Sequence, residues 1–400
     1  MKSKLSSVLF IVKMDEEEKT GLFNATYERI KGLEQYIKFY DIYSVKEYDG
    51  ILFSLIKRLK NKKISKKGKE FYYYNDLRIN YIHIKKTITT QLLKRLNFYS
   101  PIITAFRLRK VVKHDIICAH WGYPQGILAY LLSKKCIIPY IVSYHGSDIH
   151  SFPFNDKNHL KNIKKSLNNA SLNIFVSQNL LDISLKKLNN KNTNNIVIPN
   201  TIDINKHYKI QNTEIINLKE KLNLNGKVVG FVGNLIDVKR SDRLPEIFNS
   251  VKKEYGKEVS FLVIGQGENA ILINRKCKMY GINCVHLGKV EPSDVNKFIN
   301  VMDVLILPSR EEAFGLVILE ANACGTLAIG SNIGGIPDVI GNPEFLVEEN
   351  ENFENEFGKK VSFYLENGYE SKKLIERVEK YYSPQELHRQ EYKILDETLV

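Results

Sequence analysis

Long apolar runs are missing from this 400-residue chain. No stretch approaches the ~20 apolar residues that a membrane-crossing helix needs, so no helical span is expected. The N-terminal run MKSKLSSVLFIVKMDEEEK is apolar only from Val8 to Val12 and meets acids at once, which argues against a signal peptide. Cysteine is also scarce. The five present (Cys118, Cys136, Cys277, Cys284 and Cys324) are scattered, odd in number and without metal-ligand spacing. A disulfide scaffold and a cysteine metal site are therefore not expected; the thiols suit a reducing, cytoplasmic compartment. No Asp-x-Asp pair occurs anywhere, so the clustered carboxylates that anchor a divalent cation are lacking.

Acidic residues are short in one half only. Residues 1–200 hold 34 Lys/Arg against 15 Asp/Glu, and residues 201–400 hold 25 against 30, within a net charge of +14. The excess concentrates between Lys57 and Lys113. Codon bias toward Lys, Asn and Ile contributes to it but does not explain the asymmetry, which suggests that one domain faces a polyanion. Around Leu52 to Leu59 apolar and basic residues alternate at helical spacing, and Lys57, Arg58, Lys60, Lys62, Lys63, Lys66, Lys67 and Lys69 continue the basic series. Three readings stay open for this segment: an anionic membrane surface, a solvated loop, and nucleic acid stacking on Phe71 to Tyr74. No nucleic-acid motif supports the last, so no nucleic-acid partner is expected.

The length exceeds what one core usually supports, so two domains are expected. Val8–Val12 reads as a strand buried on both faces, followed by a loop at Gly21 and a helix through Tyr27, Ile30, Leu33 and Tyr36. Asp41 to Val45 suggests a second strand, and residues 51–110 are less regular. From Asp115 strands and helices alternate: DIICAH, a helix from Pro124 to Leu132, IIPYIVSYH and SLNIFVS. Ile196 to Tyr208, with its proline turn, is the natural linker. Beyond it the alternation is cleaner, with strands KVVGFVG, SFLVIG, one near Val285, and FLVE. This is an α/β pattern.

In such sheets ligands bind beyond the carboxyl ends of strands. One such end reads His145-Gly146-Ser147-Asp148. The richest is Asp303 to Asp338: strand Val304–Leu307, a charged loop (Arg310, Glu311, Glu312), an aromatic–glycine step, a helix carrying Glu320, a second strand, and a turn at Gly334-Gly335. A helix N-terminus attracts phosphate, and the flanking carboxylates Glu312 and Glu320 suit sugar hydroxyls. Gly265-Gln266-Gly267-Glu268-Asn269-Ala270 matches G-x-G-x-x-A, but the next strand, CVHLG, ends without the acid that a dinucleotide ribose needs. A nicotinamide site is not expected.

With SYHGSD, the IPNTID linker, FVGNLIDVKR, FLVIGQGE, VHLGKV and LPSREEAFGLVILEANACG in place, the chain resembles the retaining glycosyltransferases of family 4 over nearly its whole length, most weakly over 50–100. Glu312 and Glu320 match that family's E-x7-E signature. The resemblance implies the GT-B fold, two Rossmann-like domains facing each other across a cleft. Residues 1–200 would bind the acceptor, 201–381 the nucleotide-sugar donor, and a C-terminal helix (382–400) would return to the first domain. It further implies a catalytic His145 and Glu312, and donor-sugar contacts from Glu312, Ala313, Phe314 and Gly315. The nucleotide diphosphate would meet Gly233, Asn234, Lys239, Arg240, Gly315, Leu316 and Glu320. Base contacts are expected at Gly288, Lys289 and Val290, and an acceptor or phosphate loop at Gly21 and Asp148. No metal and no cofactor are implied; the substrate would be a UDP- or GDP-sugar.

Some positions depart from the family's pattern. Asn234 stands where Arg is common, removing one phosphate cation, and two readings stay open for Arg240: it replaces that cation or it points to solvent; Ala313 follows Glu312 where Gly is usual, and Thr201 replaces a linker Gly. The expected activity is transfer of a hexose-type sugar to a glycan or polyprenyl-diphosphate-linked acceptor, in surface polysaccharide or lipid-linked glycan assembly. The expected location is the cytoplasm, peripheral on the inner face of the membrane. The alternatives are a soluble acceptor and a non-catalytic sugar-nucleotide binder.

Overall fold

The computed structural model describes residues 4–17, 21–59, 64–86 and 100–399. Lys60, Lys62 and Lys63 of the basic series lie outside them. The chain divides into two compact units: Met1–Pro199 with Gln385–Val400, and Asn200–Pro384.

Unit 1 is built on an eight-stranded sheet: β1 (Ser7–Val12), β2 (Phe39–Asp49), β3 (Phe71–Tyr74), β4 (Leu77–Lys86), β5 (Ile116–His120), β6 (Tyr140–Tyr144), β7 (Leu172–Phe175) and β8 (Asn195–Val197). Their order across the sheet is β3-β4-β2-β1-β5-β6-β7-β8. Every pairing is parallel except β3 with β4. β1 sits centrally and is buried at all six residues, as a continuous apolar run under two helical layers must be. Gly21 does not lie in a loop: it opens the helix Gly21–Glu34.

The segment 51–110 proves more regular than its composition suggests. Ile51–Leu59 is a helix, and β3 and β4 form a hairpin turned at Asn75-Asp76, with Asn75 at φ +52°. Asn tolerates that left-handed conformation, so the dipeptide was a readable turn signal. The aromatic run that the nucleic-acid reading rested on is a strand, and strand alternation splits it. Tyr72 turns inward to stack on Tyr81 at 5.2 Å, Tyr74 meets Phe23 edge-on at 4.7 Å, and Phe71 and Tyr73 face out.

Unit 1 recruits the end of the chain. The helix Pro384–Glu397 brings Glu391 to Arg29, 3.1 Å apart with both side chains buried. Arg29 also donates to the carbonyl oxygen of Ile198 at 2.6 Å. The amides of Lys4 and Leu5 donate to Asp396 at 2.7 and 2.6 Å. Leu395 joins the core beneath β1.

Unit 2 holds a six-stranded, all-parallel sheet: β9 (Lys227–Val232), β10 (Val259–Ile264), β11 (Cys284–Gly288), β12 (Val304–Leu307), β13 (Leu327–Ser331) and β14 (Leu346–Val347). The order β11-β10-β9-β12-β13-β14 reverses direction between β9 and β12. In unit 1 the corresponding reversal falls between β1 and β5. At such a switch point the connections leave on opposite faces, and a crevice opens beyond the strand ends.

Candidate active site

The unit 2 crevice is assembled from the loops that leave β9 and β12. The first carries Gly233 to Arg240. The second runs from Pro308 to Gly315 and ends at the helix Leu316–Ala323. Arg310 fastens the two loops together. Its guanidinium takes both Asp242 oxygens at 2.6 and 2.8 Å and the Asp237 carbonyl at 2.5 Å, and its amide donates to Val238 at 2.8 Å. The arrangement holds Asp242 below the usual carboxylate range, since the Arg310 bonds outweigh desolvation. Neither Arg310 nor Asp242 stood out in the sequence, where Arg310 reads as one charge in a charged loop. The signal that had to be read was their sharing of one switch point.

Held in this way, Lys239 forms an ion pair with Glu312, both side chains largely buried. The expected phosphate cation and the expected sugar-binding carboxylate thus neutralise one another in the unliganded chain. A Cβ on Gly315 would lie 3.6 Å from Glu312 Cγ, so Glu312 flanks the helix start. Gly315 has φ +94°, a conformation open to glycine, and it turns the chain sharply into the helix. The amides of Phe314, Gly315, Leu316 and Val317 find no backbone or side-chain acceptor among the described residues. They are the unpaired donors of a helix start, where anions are favoured. Phe314 itself is buried edge-on against Tyr382 at 6.1 Å, which leaves its backbone to face the crevice.

Behind this loop the Gly334-Gly335 turn approaches closely. A Cβ at Gly334 would fall 2.0 Å from the Glu312 carbonyl oxygen, and the Gly335 amide donates to that oxygen at 2.8 Å. Gly265 and Gly267, the glycines of the G-x-G-x-x-A match, have a similar task. Side chains there would collide with the carbonyl oxygens of Gly233 and Leu235, at 1.8 and 2.2 Å. These glycines let the loops after β9 and β10 pack together, and that contact accounts for the pattern.

Glu320 lies one turn into the helix, partly buried, and its carboxylate has no hydrogen bond or ion pair among the described residues. Burial pushes its carboxyl up to about 7. Asn234 is exposed in the β9 loop. Arg240, expected as a second phosphate cation, is committed elsewhere. It is buried at φ +52°, paired with Glu349 at 2.5 Å and seated 3.9 Å over the Phe353 ring. Gly288, Lys289 and Val290 follow β11, where the Gly288 carbonyl accepts from the Gly265 amide at 2.8 Å; Lys289 is exposed.

The remaining residues belong to unit 1. His145 follows β6, and its Nε2 lies 3.2 Å from His120 Nδ1. Burial holds both rings neutral, His120 down to about 3 and His145 well below the ordinary value. Asp148 is fully buried and accepts from the amides of Gly146, Gly122 and His145 at 2.8, 3.0 and 3.2 Å. It braces the β5 and β6 loops. Desolvation raises its carboxyl to about 6 against those bonds.

Comparison with known proteins agrees with this geometry. Residues 212–381 match the family model described as glycosyl transferases group 1, and residues 66–206 match Glycosyltransferase Family 4. An uncharacterized glycosyltransferase of Methanocaldococcus jannaschii is 27% identical over 302 residues, covering 72% of this chain and 75% of that one. A putative teichuronic acid biosynthesis glycosyltransferase of Bacillus subtilis is 26% identical over 233 residues, covering 58% and 57%. Among solved structures, HepE of Anabaena in complex with UDP superposes with a TM-score of 0.75 at 16% identity, covering 98% of this chain and 100% of that one. At that identity the likeness concerns the fold, two Rossmann-like domains of the GT-B type.

Proposed function

We propose that this chain, a glycosyltransferase of the family 4 type, is a retaining hexosyltransferase that takes its sugar from a UDP- or GDP-sugar through the β9/β12 crevice. The observation that carries the reading is the meeting of Lys239, Glu312 and the unpaired amides at Phe314 to Val317. The bond to be broken joins the sugar's anomeric carbon to a diphosphate, and charge accumulates on the leaving oxygen. Lys239 and the helix-start amides supply positive potential there, fixed by Arg310 before the donor arrives. Glu320 receives the ribose hydroxyls and Glu312 those of the donor sugar. To do so Glu312 gives up Lys239 to the diphosphate, so the donor exchanges one ion pair for another. His145, neutral, offers a hydrogen bond rather than a charge. No divalent cation is required in this scheme. Incubation with UDP- and GDP-sugars, with and without EDTA, tests it: one donor family is consumed, EDTA has no effect, and NMR of the product shows the donor's anomeric configuration kept.

The acceptor belongs to surface-polysaccharide or lipid-linked glycan assembly, a reading supported by the teichuronic acid name carried by the Bacillus subtilis relative. Association with an anionic membrane is supported by the helix Ile51–Leu59. It exposes Ile51, Leu55 and Leu59 (80, 51 and 88%) on one stripe beside Arg58, although Lys57 is occupied by Asp49 at 2.8 Å. Among the described residues no helix is long and apolar enough to cross a membrane. Co-sedimentation with anionic but not neutral liposomes, lost in Leu55→Ser/Leu59→Ser, is the expected outcome. A protein that stays in solution at low salt would direct the reading to a soluble acceptor.

A further inference from the structure

Unit 1 has its own switch point, between β1 and β5, and a cavity of about 960 Å³ opens beside it. Lys13 and Asp15 reach it from the β1 loop, Lys46 from β2, Trp121 and Gln125 from the β5 loop, and Lys66 and Lys67 from the segment before β3. Three features of this wall point to a ligand.

The first is Gln125. It is 1% exposed, and its Nε2 donates to the Val12 carbonyl at 3.2 Å, which fixes the amide's orientation. Its Oε1 is buried and has no partner. A buried acceptor left unpaired costs about 1–3 kcal/mol, and a hydroxyl donor would remove that cost. The second is aromatic. The Trp121 backbone is held at φ +102°, rare for a residue with a side chain, and its indole forms part of the wall. Tyr123, Phe152 and His159 stack alongside, with ring separations of 4.3 Å (Phe152 to His159) and 4.8 Å (Tyr123 to His159). The third is charge. Lys46 is balanced by Asp15 at 3.0 Å and Glu17 at 3.9 Å. Lys13, Lys66 and Lys67 have no carboxylate partner among the described residues, and Lys13 sits 4.8 Å over the Trp121 ring.

We propose that this cavity takes an anionic saccharide. One hydroxyl donates to Gln125 Oε1, the sugar's apolar face lies along the aromatic wall, and a carboxylate or phosphate is met by Lys13, Lys66 and Lys67. The inference rests on the transfer reading above and names the chemical class of its acceptor. Hydrophobic burial alone would not select a charged sugar. Three uncompensated ammonium groups beside a low-dielectric wall do.

The test uses the full chain with UDP or GDP, whichever binds, at saturation, so that the unit 2 crevice is filled, and saturation-transfer NMR with three probes: glucose, glucuronic acid and glucose 1-phosphate. At least one anionic probe is expected to bind about tenfold tighter than glucose. Which of them does so separates a uronate acceptor from a phosphorylated one. Lys66→Ala/Lys67→Ala, at surface positions that do not threaten folding, should reduce the preference about fivefold and leave glucose unchanged. Gln125→Met should weaken all three. Equal binding of all probes, or a preference that survives the lysine double variant, overturns the proposal. If neither UDP nor GDP gives a signal, the transfer reading fails; if either binds and the probes do not discriminate, only the acceptor proposal fails.

Discussion

The two switch points share a topology and differ in chemistry. In unit 2 the crevice is pre-assembled: Arg310 joins its loops, glycines bring the backbones into contact, and the functional cation and carboxylate are paired with each other. In unit 1 the cavity beside β1 and β5 has three lysines without a carboxylate partner and an acceptor oxygen without a donor among the described residues, next to an aromatic wall. The first crevice satisfies itself by pairing Lys239 with Glu312, and in the proposed reaction a diphosphate competes for Lys239. The second leaves its demands unmet, and so states what it needs. Rossmann topology dictates where a ligand sits, and the loop residues dictate what it is.

The largest expected effect separates the units by how they are closed. Glu391→Ala strands Arg29 as a buried charge and should destabilise unit 1 by about 3–5 kcal/mol, while unit 2, contiguous in sequence, keeps its protection. Hydrogen exchange resolved by peptide reads both, and equal loss in the two units would break the distinction.

Next comes the self-paired crevice. Glu312→Gln should lower kcat by roughly 10²–10³, about 3–4 kcal/mol if Glu312 acts in the transition state, yet tighten UDP several-fold because Lys239 is released. Calorimetry with UDP and steady-state rates give the two numbers. Weaker UDP binding would mean that the pair does not compete with the diphosphate. In Lys239→Ala, UDP should bind about 1.5–3 kcal/mol more weakly and uridine almost unchanged; parallel losses would assign the diphosphate to the helix amides alone.

The smallest effect concerns pH. Burial raises Glu320 to about 7 from an ordinary 4.5. The native state therefore holds an extra proton between about 4.5 and 7, and this group's contribution to stability falls as pH rises through that window. If ribose hydroxyls donate to the ionised carboxylate, UDP affinity rises toward pH 7 and levels above it, by a few-fold in all. Isothermal titrations at several pH values should show this dependence, and Glu320→Gln should abolish it.

Much of the fold was readable because parallel strands buried on both faces are continuous apolar runs. Val304–Leu307 is visible as such, and so are the strands in KVVGFVG and SFLVIG. The β3–β4 hairpin was harder, since the Lys and Tyr around it mask the alternation and only Asn75-Asp76 marks the turn. In the candidate site, Glu312 and Glu320 were singled out by local pattern, and Lys239 by the family resemblance. Arg310's partner was not, because Asp242 lies 68 residues away and the pairing exists only after β12 inserts beside β9. The contacts of Arg240 were hidden for the same reason: adjacent to Lys239 in the chain, it follows a left-handed turn to Glu349 and Phe353.

The sequence by itself determined the α/β alternation, the glycines at the loop crossings, the helix start beyond Phe314 and the uneven charge of the two halves. These follow from short-range rules of burial, turn conformation and helix ends. Only the tertiary structure decided which charges are spent and which are available. It set Lys239 against Glu312, withdrew Arg240 and Asp148, and left Gln125 and three lysines around an open cavity. Charge pairing depends on distances of a few ångströms between residues tens of positions apart, and the order of strands in each sheet sets those distances.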